Sequence, residues 1–266
     1  MSQISKAIEL AKKERHPNKR GFKSNGVIEV GEFNYTNSNK IVTNKNVLKK
    51  NRILSAIDDQ RIIDTYGLLR TRVLRRMQQN KWQSIGITSA GKDDGKTLTA
   101  INLAISIAMK QTHTVLVVDA DLRNPSIHNA LGFKPQFGLS DYLTSDIPID
   151  EVLIDPGIDR LIILPGNKGA ETSSELLSSP KMSRLAQELK TRYTSRIVIY
   201  DLPPVLVGDD VAAFAPNLDT ALLIVEEGST ETDKLKRSID LLEGVDIIGT
   251  VLNKSKGKEQ DQEYYY

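Results

Sequence analysis

The chain contains no cysteine. That excludes disulfides, thiolate metal sites and cysteine nucleophiles, and it fits a reducing compartment. Histidine is nearly absent as well. His16, His113 and His128 share no ligand-like spacing, so no zinc donor set is expected. Long hydrophobic runs are missing too: no stretch reaches the roughly 18 apolar residues that a membrane span needs. The opening "MSQISKAIELAKKERHPNKRG" is charged and amphipathic throughout, unlike a signal peptide. A cytoplasmic protein is the expectation. No internal repeat is visible.

What is present is an ordinary globular composition, 39% hydrophobic and 26% charged over 266 residues, enough for one large domain plus an extension. The net charge of +2 conceals an asymmetry: residues 1–82 hold 18 Lys/Arg against 7 Asp/Glu, whereas residues 83–266 hold 18 against 27. A basic extension can favour anionic lipid, nucleic acid or an acidic protein surface, although solvated lysines on a linker give the same count. In residues 1–20, Ile4, Ala7, Ile8 and Ala11 recur at helical spacing behind Ser2 or Ser5, which predicts a short amphipathic leader helix in need of a partner surface. Residues 21–54 include "NYTNSNKIVTNKNVLKKN", rich in Asn and Lys, and are expected to form a flexible linker. Order is expected to resume over 55–254. It begins with "DDQRIIDTYGLLRTRVLRRM", where Ile62, Ile63, Tyr66, Leu69, Val73 and Leu74 mark a helix carrying Arg70, Arg72, Arg75 and Arg76 on or near its solvent side.

From Trp82 onward, short β-branched runs ("SIGITS", "TVLVVDA", "LIILPG", "RIVIYD", "TALLIVEE", "IIGTVLNK") alternate with helical stretches such as "TLTAINLAISIAMK" and "SPKMSRLAQELKTRY". Runs apolar on both faces predict a mostly parallel, doubly wound α/β sheet with helices on both faces, preceded by the basic extension. Ligands bind beyond the carboxyl ends of such strands, so the residues closing each run carry the most information.

The first run closes in "ITSAGKDDGKTLTAINLA". Ala90 to Thr97 fit AxxxxGK[ST], a P-loop lodged between a strand and a helix, as in a P-loop NTPase. Gly91 and Gly95 supply tight turns that aim backbone N–H groups at phosphates. Lys96 is placed to bridge the β- and γ-phosphates, Thr97 to ligate Mg²⁺, and Leu98 stands in the helix N-terminus that adds its dipole. Asp93 and Asp94 are the odd feature, since carboxylates beside bound phosphates repel them unless they point outward or pair with Lys92. The second run closes in "DADLRNPSIH", where Asp119 and Asp121 share one face if both are still extended. The fourth closes in "IVIYDLPPVL", a Walker B pattern ending at Asp201, with Pro203 and Pro204 stopping the strand.

A P-loop with "DADLRNPSIH" as a second acidic motif, "IYDLPPVL" as Walker B, "SSELLSSPKM" before a helix and a terminal tyrosine cluster resembles the bacterial tyrosine kinases that regulate polysaccharide synthesis and export. The resemblance covers roughly residues 55–266. It implies a cytoplasmic, ATP- and Mg²⁺-dependent protein-tyrosine autokinase in which Gly91, Asp94, Gly95, Lys96, Thr97 and Leu98 bind nucleotide and Asn253 contacts adenine. Asp119, Asp121 and Asp201 would surround the metal, with Thr97, Asp121 and Asp201 as ligands. Either Asp119 or Asp121 would be the base for the attacking phenol, and Asp210 matches a further acidic position. The phosphate acceptors would be Tyr264, Tyr265 and Tyr266, in the tail 255–266.

The implied partners are a transmembrane polysaccharide co-polymerase or modulator whose cytoplasmic segment activates the kinase at the inner face of the membrane, other copies of the chain for transfer in trans, and a cognate tyrosine phosphatase. Nucleic acid is not among them. Where the family carries E-x-x-R-x-x-R to close a ring, this chain reads Asp64, Gly67, Arg70, so the middle arginine is missing. The alternatives are a Min- or Par-type ATPase, whose extra P-loop lysine would fall at Gly91, and a nucleotide-dependent regulatory scaffold. The bland account of "EYYY" is a sticky end.

Overall fold

The computed structural model describes residues 39–167, 171–192 and 195–255. The expected leader helix, the first part of the expected linker and the tyrosine cluster lie outside them. All six apolar runs form strands: β2 (Ser84–Ser89), β3 (Thr114–Asp119), β5 (Leu161–Leu164), β6 (Arg196–Asp201), β7 (Thr220–Glu226) and β8 (Ile247–Asn253). Two short strands that the sequence did not announce, β1 (Asn39–Lys40) and β4 (Ile154–Asp155), extend one edge. The order is β1-β4-β5-β3-β6-β2-β7-β8. Every pair is parallel except β4 with β5.

Helices cover both faces. Against one face lie α1 (Gln60–Asn80) and α2 (Lys96–Ala108), packed around Val73, Met77, Ile101, Ile105, Ile85 and Ile199. Against the other lie α3 (Pro180–Thr191) and α4 (Thr232–Leu241), where Met182, Leu185, Leu189 and Leu235 meet Val198, Tyr200 and Leu223. Local chemistry sets the boundaries. Asp59 caps α1 by accepting the Arg61 N–H, and α1 stops at Lys81 in the left-handed region (φ 58). Ser179 caps α3, with Pro180 in its first turn. Every residue of α2 from Thr99 to Ala108 is buried, because the sheet, α1 and the preceding segment enclose it.

The expected linker is corrected over 39–54. A short helix forms at Lys45–Lys50, capped by Asn44, and a 3₁₀ turn at Leu54–Ala56. Leu48, Ile53 and Leu54 are buried against the core. The composition is polar, yet these three apolar residues suffice because Asn102 of α2 anchors the chain. Its side chain accepts the Leu54 N–H (2.8 Å) and donates to the Arg52 carbonyl (3.0 Å). The arginines of α1 also divide differently from expectation. Arg70 is half-buried and donates to the Ser106 carbonyl and hydroxyl, while Arg72, Arg75 and Arg76 remain exposed, Arg76 donating to the Ile248 carbonyl of β8.

Candidate active site

Strands β2, β3 and β6 lie side by side and end together, so their closing residues converge beyond one end of the sheet. In the β3–β6 register Asp119 stands directly opposite Asp201. The chain after β2 turns through Gly91–Gly95 into α2, and Gly95 takes φ 94, a conformation that suits glycine. A Cβ there would sit 2.1 Å from the Asn253 amide nitrogen, so close approach as well as dihedral angle demands glycine. Behind this turn, Asn253 at the end of β8 donates to the Asp94 carbonyl (2.7 Å). Asp94 itself neither points outward nor pairs with Lys92: it is buried, and its carboxylate accepts the Gly91 N–H at 3.0 Å. Asp93 before it is left-handed at φ 63 and exposed.

Lys96 is the centre of the charge. Its ammonium lies 2.8 Å from Asp121 and 3.7 Å from Asp201. Burial works against the charged amine, but the carboxylates of Asp201 and Asp121 outweigh it, so its pKa stands above that of an ordinary lysine. Thr97 donates to Asp201 at 2.6 Å and shares a 3.0 Å hydrogen bond with Ser126. Asp201, fully buried, has its pKa pushed up to about 6, by burial first, with Lys96 and Thr97 opposing. Asp119 is raised well above the usual carboxylate range, by burial and then by the neighbouring Asp201.

The two aspartates of "DADLR" are distinguishable. Asp119 is the last residue of β3; one of its oxygens accepts the N–H groups of Ser126 (2.9 Å) and Ile127 (3.0 Å). Asp121 lies past the strand end, bonded to Lys96 and to the Asn124 N–H. It lines a cavity of about 890 Å³ together with Lys92, Lys96, Thr97, Arg123 and Pro203. Gly95 and Leu98 line it too, whereas Gly91, Asp94, Asp119, Asp201 and Asn253 are not among the lining residues.

The second oxygens of Asp119 and Asp201 are buried without a hydrogen-bond partner among the described residues, that of Asp201 having only the Lys96 ammonium at 3.7 Å. Orphaned carboxylate oxygens beside a threonine hydroxyl are a donor set suited to a hard cation. No cluster of three or more acidic or histidine residues forms a closed metal cage among the described residues. Magnesium does not require one, since it takes one or two carboxylates and fills its remaining positions with phosphate and water.

Three residues escaped the sequence reading. Ser126 bonds Thr97. Arg123 donates to the fully buried Asp210 at 2.6 Å and lies 3.5 Å from Asp209. Ser173 donates to the other oxygen of Asp210. The "DADLR" run puts Arg123 beside the acidic pair, but only the fold reveals that Asp210, 87 residues on, fixes it at the cavity rim.

A strand, a glycine-rich turn with its lysine and threonine, a helix, and aspartates closing the neighbouring strands define a P-loop nucleotide-binding protein. Residues 85–265 match the family described as CbiA, the CobQ/CobB/MinD/ParA nucleotide binding domain. The tyrosine-protein kinase YwqD of Bacillus subtilis is 29% identical over 205 residues, 76% of this chain and 85% of that one. The kinase domain of the Escherichia coli tyrosine kinase ETK superposes with a TM-score of 0.71 at 29% identity, covering 77% of this chain and 80% of that one. The chimerical protein CapA2B2 gives 0.68 at 26% identity, with 82% and 93% covered. The chain belongs to the CobQ/CobB/MinD/ParA nucleotide-binding family, in its bacterial tyrosine-kinase branch. None of the described helices is long and apolar enough to cross a membrane.

Proposed function

We propose that the chain is an ATP-dependent protein-tyrosine autokinase that phosphorylates Tyr264, Tyr265 and Tyr266, in trans between copies, and regulates polysaccharide synthesis and export with a transmembrane partner. The observation that carries this reading is that Lys96, Thr97 and Asp121 line one cavity, with the buried Asp201 behind them accepting from Thr97 and lying 3.7 Å from Lys96, in a chain of the tyrosine-kinase branch. Thr97 and Asp201 would hold Mg²⁺, which when bound neutralises charge on the β- and γ-phosphates.

The chain's own groups supply the rest. Lys96, released from Asp121 by the incoming phosphates, exchanges a carboxylate partner for a phosphate one. The N–H groups at the start of α2 point at the same oxygens. The freed Asp121 carboxylate is the group facing the cavity, and it takes the phenol proton. The phenolate oxygen then bonds to the γ-phosphorus as the bond to the β–γ bridging oxygen breaks and ADP departs. Asp119, held by two backbone N–H groups, keeps the loop that carries Asp121 and Ser126 in place. Arg123, fixed by Asp210 and Ser173, offers its remaining donors at the rim to the acidic residues that precede the tyrosines.

The experiment incubates the full chain, with the partner's cytoplasmic segment, in ATP and Mg²⁺ and probes for phosphotyrosine. Signal is expected from the full chain. It should vanish in Lys96→Met and fall strongly in a chain ending at Glu263. Release of free phosphate with no phosphotyrosine would replace the kinase by an ATPase of the Min or Par kind.

A further inference from the structure

Helix α1 and strand β8 enclose a second cavity, about 590 Å³, which shares no lining residue with the nucleotide cavity. Its walls include Leu69, Arg72, Arg75, Arg76, Ile248 and Thr250. Arg76 is committed to the Ile248 carbonyl, and among the described residues none of the three arginines makes an ion pair. Strand β8 is the last in the sheet and is hydrogen-bonded within it to β7 alone. An open strand edge beside uncompensated positive charge is suited to an extended acidic segment.

The chain carries such a segment in sequence directly after the groove's own strand. Beyond β8, Lys254 takes the left-handed region (φ 53), a bend, and its amine pairs with Glu226 at 2.9 Å. There follow residues 256–266, "KGKEQDQEYYY", in which Lys256 and Lys258 precede the acidic stretch of Glu259, Asp261 and Glu263. From Asn253 back to Ile248 is about 17 Å at ~3.3 Å per residue. Residues 256–266 can span up to ~36 Å. The segment is therefore long enough to turn at Lys254, run back along β8 and bring its carboxylates level with the arginines.

We propose that this groove is the docking site of the chain's own C-terminal segment, residues 256–266, held by Glu259, Asp261 and Glu263 against Arg72, Arg75 and Arg76. The docking rests on charge, reach and the open edge. Its consequence for regulation rests on the kinase reading: a docked segment keeps the acceptor tyrosines away from the nucleotide cavity.

Since the chain has no cysteine, a pair of introduced thiols reports this contact without background. The full chain carrying Gln79→Cys, in the groove wall, and Gln262→Cys is oxidised mildly without nucleotide, so the readout does not depend on catalysis. The expected product is an intramolecular disulfide between positions 79 and 262. It should form at least about tenfold faster than one from Gln187→Cys on α3, which packs on the opposite face of the sheet. Adding Arg72→Glu and Arg75→Glu, or raising salt to about 1 M, should slow it on the order of tenfold, because exposed ion pairs are screened. Equal rates at 79 and 187, or indifference to both the reversed charges and salt, would overturn the proposal. Disulfide-linked dimers in place of monomers would also overturn it, by putting a neighbouring copy's segment in the groove.

Discussion

The buried carboxylate of Asp201 makes a prediction that runs against the usual effect of active-site mutation. Its pKa is pushed up to about 6 from an ordinary 3.8, burial being the first cause. Each pKa unit corresponds to ~1.36 kcal/mol, so holding the ionised form in the folded chain costs about 3 kcal/mol. The sign follows from linkage. The folded-state pKa lies above the unfolded one, so the penalty is absent below pH ~4, grows between pH ~4 and ~6 and is full above that. Asp201→Asn removes the charge and keeps an oxygen for the Thr97 hydroxyl. In chelator-treated protein at pH 8 it should raise stability by about 2–3 kcal/mol, a Tm increase of roughly 5–10 °C for a chain of this size. At pH 4 the gain should disappear. Adding ATP and Mg²⁺ should reverse the order. The parent chain then gains about 4 kcal/mol at a thousandfold excess over Kd, and the variant gains little. Thermal unfolding at the two pH values, with and without ligand, reads all four numbers. An Asp201→Asn chain no more stable than its parent at pH 8, or equally stabilised at both pH values, would refute the account of a site strained for its ligand.

Four further outcomes are expected. Gly95→Ala should abolish binding of a fluorescent nucleotide with the circular dichroism spectrum intact, and adding Asn253→Ala should restore part of it by clearing the 2.1 Å clash. Asn102→Ala leaves the buried Leu54 N–H and Arg52 carbonyl without their partner; denaturant unfolding should show a loss of about 2–5 kcal/mol. Gly67→Ala should stabilise α1 by about 0.5–1 kcal/mol in the same assay, because the added Cβ meets nothing closer than the Arg70 guanidinium at an ordinary 3.7 Å. Arg123→Gln strips the buried Asp210 of its cation and should cost about 2 kcal/mol, most of it recovered by Asp210→Asn in the double variant.

What was legible in the sequence was whatever repeats locally. Six β-branched runs, each closed by a turn, announced six strands, and the spacing from Gly91 to Thr97 announced the phosphate-binding turn. Asp119 and Asp201 could be placed at strand ends because the runs stop there. The missed features depend on distant partners. Leu48, Ile53 and Leu54 are too few to set a period, and their burial follows from Asn102 on another helix. Asp94 turns inward to accept the Gly91 N–H, next to an Asp93 in the left-handed region, and no composition reveals that. The union of Arg123, Ser173 and Asp210 joins three chain segments, and β1 with β4 are two-residue strands below any pattern's reach. Arg70 was expected on or near the solvent side of α1, yet a long side chain can reach around to the carbonyl and hydroxyl of Ser106 on a neighbouring helix.

The amide of Asn253 grips the carbonyl of Asp94, and one residue later the chain bends away toward its acidic end. The brace for the phosphate-binding turn is thus also the root of the segment that bears the tyrosines. A shift of the backbone at the end of β8 would therefore be felt at the phosphate-binding turn through the Asn253 side chain.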